Sequence, residues 1–189
     1  MKKALLGTAI ALTVSSLAMP AGASDGTINI RGKLTQATCT VKIDGGSADA
    51  LITLPSLSTS TLSKSGATAG RTAFTINLTG CTTSFQNPAE NITKVRAYFE
   101  HGPNVDPASG RLNNSIASTA GGAGNVQVQL RDEAENEIYI GNTSQRANAA
   151  ETLTSQGAAD LVYNLYYYAT GQSTPGSLAT SVTYSIDYE

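Results

Sequence analysis

The sequence predicts an all-β sandwich, because three observations point the same way. Apolar and polar residues alternate with a period of two in many short segments from Thr27 onwards, which is the pattern of strands with one buried face. Turn-forming residues separate these segments, and β-branched residues are abundant. No segment keeps a convincing helical period, although Ala147–Leu153 would fit a single turn. Many short strands divided by turns favour a sandwich.

Residues 1–23 predict a cleaved export signal. Met1–Lys3 is positively charged, Ala4–Ala18 is an apolar run of small residues, and Ala21–Ala23 gives an A-x-A cleavage site. The apolar run is too short to span a bilayer, so a retained N-terminal membrane anchor is the less favoured alternative. The chain after Ala23 is long enough for one domain with its own core.

The predicted strands follow one another through the rest of the chain. In chain order, the strands or extended segments are Thr27–Leu34, Thr38–Ile43, Leu51–Pro55, Phe74–Leu78, Val95–Phe99, Val126–Leu130, Ile138–Ile140, Tyr163–Ala169 and Val182–Tyr188. Asp44–Gly46 supplies a turn, Pro55 marks an edge or a strand end, and Asp132–Asn136 forms a charged turn. The polar stretch Gly102–Gly124 is expected to be a surface loop with a short edge strand.

The composition excludes some partners and indicates an oxidising compartment. Only 14% of the residues are charged and the formal net charge is −2, so the chain offers no basic field to nucleic acid or to an anionic membrane. Two cysteines behind an export signal, Cys39 and Cys81, predict one structural disulfide. A catalytic thiol is the alternative, but the single histidine, His101, is a poor basis for an activated pair.

The two ends of the strand pattern suggest pairing between molecules. The sequence stops one residue after Tyr188, within the last predicted strand, and Thr27–Leu34 lies ahead of the disulfide. We therefore expect an uncovered edge along the last strand and a spare strand at the start, which together favour β-augmentation. The alternative is that Thr27–Leu34 is simply the first strand of its own sheet.

Four motifs occur in a fixed order along nearly the whole mature chain. They are an alternating run with a glycine ahead of a cysteine strand (Gly26–Leu34, then Ala37–Val41), an alternating run into the second cysteine (Gly70–Cys81), a V-x-V-x-L-x-D stretch (Val126–Asp132), and a final strand with Gly176 and a penultimate tyrosine, Tyr188. Each motif alone is weak, but in this order they resemble the type-1-like pilins of the bacterial chaperone–usher pathway.

This resemblance implies an incomplete immunoglobulin-like β-sandwich, the pilin fold, that lacks its seventh strand and is completed in trans by a donor strand. Residues 24–36 would be the donor extension and residues 37–189 the pilin domain. The donor residues implied are Ile28, Ile30, Gly32 and Leu34. The acceptor groove and chaperone contact implied are Gly176, Val182, Tyr184, Ile186, Tyr188 and Glu189, with Glu189 as the anchoring point for the chaperone.

The resemblance also implies a structural subunit of a surface fimbria that supports cell adhesion. Its expected partners are neighbouring copies or related pilins in a head-to-tail polymer, a periplasmic chaperone and an outer-membrane usher. No cofactor, nucleic acid or small-molecule substrate is expected, while contact with a host receptor stays open. The expected location is the periplasm and then the surface of a Gram-negative cell, as a main shaft subunit or a minor adaptor.

Three other functions compete with this interpretation. The tyrosine-rich strand around Tyr167 could be a sugar platform in a monomeric secreted carbohydrate-binding module, although a core strand is the favoured interpretation. A secreted hydrolase would need a nucleophile with an activating base, which His101 and scattered carboxylates support poorly. The acidic turn at Asp132 could hold a cation, but it lacks the spacing of a calcium loop.

Overall fold

The computed structural model describes residues 28–30, 32, 34, 38–81, 91–148, 150–154 and 156–189. The chain divides into two units, Met1–Leu34 and Thr35–Glu189. The predicted signal, residues 1–23, lies outside the described residues, as do Thr27, Arg31 and Lys33 of the predicted first strand. The described residues 28–30, 32 and 34 carry no strand assignment.

In the described part of the second unit, regular structure is almost entirely β. The strands are β1 Thr40–Ile43, β2 Thr68–Thr79, β3 Lys94–Phe99, β4 Leu112–Asn113, β5 Val126–Asp132, β6 Glu151–Thr152, β7 Ala159–Ala169 and β8 Tyr184–Tyr188. Short 3-10 turns occupy Thr59–Leu62, Ser118–Ala120 and Thr143–Ala147. Within these described ranges no helix is both long and apolar enough to cross a bilayer.

The strands form two antiparallel sheets of unequal width. The larger sheet has the order β1-β2-β7-β5-β4, and the smaller one has the order β6-β3-β8. Buried side chains of both sheets, such as Ile76 from β2, Val95 from β3 and Leu130 from β5, belong to one hydrophobic cluster. The predicted all-β sandwich is therefore confirmed.

The central ladder of the larger sheet joins β2 to β7 and contains a bulge. The register shifts between Ala69 and Thr72, and Gly70 in the bulge has a φ of +72°, which favours glycine. A Cβ at Gly70 would lie 2.9 Å from side-chain atoms of both Leu57 and Tyr167. Both the backbone angle and the tight packing thus call for a glycine here.

Strand β5 is buried on both faces, which its alternating sequence does not predict. Val128 belongs to the core, whereas Gln127 and Gln129 are buried on the opposite face of the sheet. The Gln127 amide donates to Asp106 Oδ2 over 3.0 Å and to Asn113 Oδ1 over 2.9 Å. These hydrogen bonds compensate the burial of the amide, so the polar residues of β5 belong to the packed structure rather than to the solvated surface.

The stretch 102–124 is more than a surface loop. The expected short edge strand is present as β4 at the end of the larger sheet, but Val105 and Leu112 are buried in the core. The Asn114 side chain uses its full hydrogen-bonding capacity: its amide donates to the carbonyls of Ala123 and Ser177, and its oxygen accepts from Ile116 and Ala179 N–H. The loop is therefore fixed to the segment that leads to β8.

Two local predictions are wrong. Ile138 and Ile140 are buried, but their segment is not a strand. An isolated bridge joins Arg131 to the preceding residue, Glu137, and the Ile138 N–H donates to the Leu130 carbonyl over 2.9 Å. The single turn expected at Ala147–Leu153 lies earlier, at Thr143–Ala147, and Glu151–Thr152 pairs with β3 as β6. In both places tertiary contacts override a weak local pattern.

The Asp132 carboxylate organises the charged turn after β5. Its oxygens accept hydrogen bonds from the Asn136 N–H over 2.8 Å and from the side-chain amides of Asn136 over 3.0 Å and Asn148 over 2.9 Å. Burial opposes ionisation, but the hydrogen bonds from Asn148 and Asn136 outweigh it and lower the pKa of Asp132. The turn is thus tied to the segment that follows the last 3-10 turn.

We expect Asp132→Asn to lower the free energy of unfolding at pH 7 by about 1–3 kcal/mol, since hydrogen-bond acceptors are lost. Because the folded-state pKa is depressed, this stabilisation is present above the ordinary aspartate pKa and is lost as the pH falls through the folded pKa. Urea unfolding from pH 7 to pH 2 should therefore show a weaker acid dependence in the variant. Asp160→Asn, which makes the same exchange at a carboxylate that accepts one exposed hydrogen bond from Asn77, is the matched control.

Cys39 and Cys81 form a disulfide, so that prediction is confirmed. Cys39 lies just before β1 and Cys81 shortly after β2, and the two strands pair from Thr40↔Thr79 onwards. The bond therefore links the start of β1 to the end of β2, at the end of the β1–β2 ladder where these two strands pair. The two cysteines are 42 residues apart in sequence.

Replacing both cysteines by serine should destabilise the domain by roughly 4 kcal/mol, the loop-closure value for a loop of this length. Guanidinium unfolding of the two proteins in the absence of reductant gives the difference. A loss below about 1 kcal/mol would contradict a structural role for this bond.

Candidate functional site

The hydrophobic core is only half covered along two strands that lie at the ends of the sheets. β1 ends the larger sheet and β8 ends the smaller one. The half-buried apolar side chains that pack against the core come mostly from these strands and their flanks: Cys39, Val41, Ile43, Ile52, Leu54, Leu165, Leu178, Val182, Tyr184, Ile186 and Tyr188. We call the apolar surface along β1 and β8 the edge groove.

Strand β8 and the residue two before it supply one wall of the edge groove. Val182, Tyr184, Ile186 and Tyr188 all pack against the core, so every second residue faces inward. The residues between them face away; Asp187, for example, binds Arg146 over 2.9 Å. The structure thus identifies which side chains of the last strand face the core, which alternation alone left open.

The opposite wall was missed by the sequence analysis. Val41 and Ile43 of β1 pack against the core, and so do Ile52 and Leu54 from the extended segment that follows. The signal was present, because each pair is separated by one polar residue. The resemblance implied groove residues only in the C-terminal segment, so Val41, Ile43, Ile52 and Leu54 were not predicted to line the groove.

Two tyrosine hydroxyls join the walls of the edge groove. The Tyr184 hydroxyl donates to the carbonyl of Ala48 over 2.9 Å. Burial raises the pKa of Tyr188, and a hydrogen bond with the backbone of Cys39 opposes that rise. The aromatic rings therefore reach from β8 to the two flanks of β1, and the disulfide lies at one end of the groove.

Gly176 lies away from β8, beside the 102–124 stretch. A Cβ on Gly176 would lie 2.3 Å from the backbone nitrogen of Ala123 and 2.4 Å from the carbonyl carbon of Gly122. The structure therefore gives this glycine a packing reason, close approach of two backbones. Gly176 is therefore separate from the other predicted groove and chaperone-contact residues. Those residues lie together in β8 and its flanks: Val182, Tyr184, Ile186, Tyr188 and Glu189.

The predicted donor side chains are exposed. The exposed fraction is 89% for Ile28, 89% for Ile30 and 101% for Leu34. A Cβ on Gly32 would meet no atom within 4 Å, so the chain by itself shows no packing reason for this glycine. Ile28, Ile30 and Leu34 recur at even spacing in one short segment, and clustered exposed apolar side chains are typical of interaction sites.

The tyrosine-rich strand β7 does not present free aromatic faces. Tyr163 is in the core, and burial raises its pKa to about 12. On the other face, the Arg111 guanidinium lies 3.6 Å from the ring centre of Tyr168, and that of Arg131 lies 4.7 Å from that of Tyr166. Because cation–π stacks occupy these rings, the carbohydrate-binding alternative is not favoured.

The carboxylates of the domain serve mainly as structural partners. A cleft beside the charged turn is lined by Asp132, Glu133 and Glu151 together with Leu161 and Tyr163. Within the described ranges no group of three or more histidine, cysteine, aspartate or glutamate side chains is arranged to hold a metal ion. The edge groove leaves apolar side chains half covered beside two strand edges, so it is the candidate site for binding another chain.

The sequence matches known proteins over most of its length. The model of the family "FimA: Type-1 fimbrial protein, A" matches residues 54–189. The "Major fimbrial subunit SMF-1" of Stenotrophomonas maltophilia is 40% identical over 174 residues, which cover 90% of this chain and 96% of that protein. The "F17 fimbrial protein" of Escherichia coli is 36% identical over 168 residues, covering 88% and 89% of the two chains.

Solved structures share the fold. A subunit from a structure of a chaperone–usher pilus superposes with a TM-score of 0.60 at 20% identity and covers 95% of this chain and all of that one. The P pilus rod subunit PapA gives the same TM-score and identity over 79% and 99% of the two chains. The architecture is that of the immunoglobulin-like pilins. With the sequence matches, it follows that the chain belongs to the type-1 fimbrial protein family and is a structural subunit of a fimbria.

Proposed function

We propose that the chain polymerises by inserting residues 24–36 into the edge groove of a neighbouring subunit. The half-covered core along β1 and β8 is the observation that carries the proposal. Among the described strands, β1 pairs only with β2, and β8 pairs only with β3. A further strand between them would gain backbone hydrogen bonds and cover apolar surface at the same time.

The donor segment has the side chains that such a groove accepts. Ile28, Ile30, Gly32 and Leu34 fall on one face of an extended strand, because side chains alternate with a period of two. Burying the three aliphatic side chains would contribute roughly 5–9 kcal/mol before the entropy cost of association. Gly32 would pass where the groove floor comes too close for a Cβ.

The contact is heterologous, because donor and acceptor are different surfaces of one chain. Repetition of such a contact does not close on itself and produces a fibre. The resemblance assigns Gly176 and Glu189 to groove and chaperone contacts. The packing of Gly176 against Gly122 and Ala123 supports instead a structural role for that glycine.

An apolar groove with two free strand edges is an aggregation hazard until it is filled. This supports the participation of a periplasmic chaperone, which would cover the groove before exchange, and of an outer-membrane usher. The signal-like residues 1–23 support export through the periplasm, and a place at the cell surface follows from the family. Assembly by this route needs no cofactor, and the fibre supports cell adhesion.

The proposal predicts that a domain lacking Ser24–Gln36 is weakly stable and is rescued by a synthetic peptide of that segment. The peptide should raise the melting temperature of the oxidised domain by roughly 10–20 °C, because part of the gross 5–9 kcal/mol survives as binding free energy. Thermal unfolding with and without peptide measures the shift. A truncated domain that is already stable and ignores the peptide would instead support a self-sufficient monomeric module.

The proposal also predicts that Gly32→Leu blocks fibre assembly without affecting the fold of the subunit. The added side chain has free space in the chain alone, so the melting temperature of the chaperone-bound subunit should stay unchanged. Lys33→Leu is the matched control, because it places the same leucine side chain on the opposite face of the strand. Fibres seen by electron microscopy for Gly32→Leu would remove this glycine from its proposed role.

A further inference from the structure

Arg96 is a buried cation in the middle of β3. Its neighbours Val95 and Ala97 are buried in the core, so Arg96 extends from the outer face of the smaller sheet. An arginine at such a position normally reaches solvent, yet this side chain is only 8% exposed. A guanidinium that loses its water needs hydrogen-bond acceptors and an opposite charge within the protein.

The backbone that covers Arg96 supplies two of the acceptors. The guanidinium donates to the carbonyl of Arg146 and, over 2.8 Å, to the carbonyl of Asn148. Gln145 fixes the same backbone to β3: its side chain accepts from the Phe99 N–H over 2.8 Å and donates to the Phe99 carbonyl over 3.0 Å. These contacts hold the covering segment in place and exclude water from the guanidinium.

The opposite charge comes from Glu189, which follows β8. Its side-chain carboxylate accepts a hydrogen bond from the Arg96 guanidinium. The main chain of Glu189 is held as well, since its N–H donates to the Lys94 carbonyl over 2.9 Å and its oxygen accepts from the N–H groups of Thr93 and Lys94 over 2.7 and 3.0 Å. The side chain of Glu189 is thus bound to the middle of β3, and its main chain is bound to the start of that strand.

β8 needs such a fixed point, because its pairing is short and one-sided. It has five residues, and β3 is its one partner among the described strands. A slip of one residue would turn Tyr184, Ile186 and Tyr188 away from the core and bring Ser185 and Asp187 towards it. An ion pair with a buried partner at the end of the strand fits a single register.

We propose that the Arg96–Glu189 pair is a register anchor that holds β8 in the alignment presenting its apolar side chains to the edge groove. Arg96 is a positioning residue, since it acts through β8 and does not face the groove. This proposal rests on the proposed donor-strand function. When the chaperone leaves the edge groove and the donor strand enters it, β8 is held by its pairing with β3 alone.

The test is segment-resolved hydrogen exchange on the full-length chain in assembled fibres. Glu189→Gln keeps the shape of the side chain but leaves the buried guanidinium without a counter-charge. Amides of residues 184–188 should exchange at least about tenfold faster than in the wild type, while those of 161–168 stay within about twofold. General destabilisation would accelerate both segments, so the contrast reports on β8.

Two further variants complete the design. Glu189→Asp retains the carboxylate and should restore much of the protection, whereas Asp187→Asn, which breaks the more exposed pair with Arg146, should leave exchange unchanged. The anchor is refuted if Glu189→Gln exchanges like the wild type, or if both segments accelerate equally. If Glu189→Gln forms no fibres, the two segments are compared in the unpolymerised full-length chain: selective acceleration of residues 184–188 relative to the wild type supports the anchor, and wild-type exchange refutes it.

The wild-type protein by itself tests the donor-strand function. If that function is wrong, residues 184–188 exchange equally fast in fibres and in the unpolymerised chain, because no strand is added beside β8. Failure of the anchor shows only in the variants.

Discussion

Among the described strands, five form one sheet and three form the other, and this unequal width leaves one side of the core incompletely covered. A sandwich core is covered fully only when both layers extend equally far, and here the smaller sheet ends at β8 while the larger one continues to β1. The apolar side chains of β1 and β8 are therefore left half covered along one side. The proposed assembly, the disulfide and the anchoring of β8 all relate to this one incomplete side.

Polar and charged side chains make contacts on other surfaces of the domain. On the outer face of the larger sheet, Arg111 and Arg131 stack on tyrosine rings and pair with Glu137 and Glu135. On the far edge, Asn114 ties the 102–124 stretch to the segment that leads to β8. Exposed strand edges invite pairing with other chains, so these contacts favour the edge groove as the site of the proposed association.

Much of the fold could be predicted from the sequence, because period-two alternation is a local signal. Most of the strands overlap the predicted segments, although β2 and β7 begin well before them. The disulfide followed from two cysteines and an export signal. The contacts that act over long sequence separations could not be predicted. Nothing in the local sequence of Arg96 reveals that Asn148 and Glu189 will surround it, and the walls formed by Val41 and Ile52 emerge only when β1 is seen beside the core.

The position of the disulfide has a mechanical consequence. In a fibre built by strand donation, tension enters each subunit through the residues that join the donor segment to Cys39. Without a covalent link the load would peel β1 from β2 one residue pair at a time, starting at Thr40↔Thr79. The bond to Cys81 transfers the load directly to β2, which is paired with β7 in the middle of the larger sheet. The residues between Cys39 and Cys81 then cannot add to the length of a stretched subunit, because the covalent bond bypasses them.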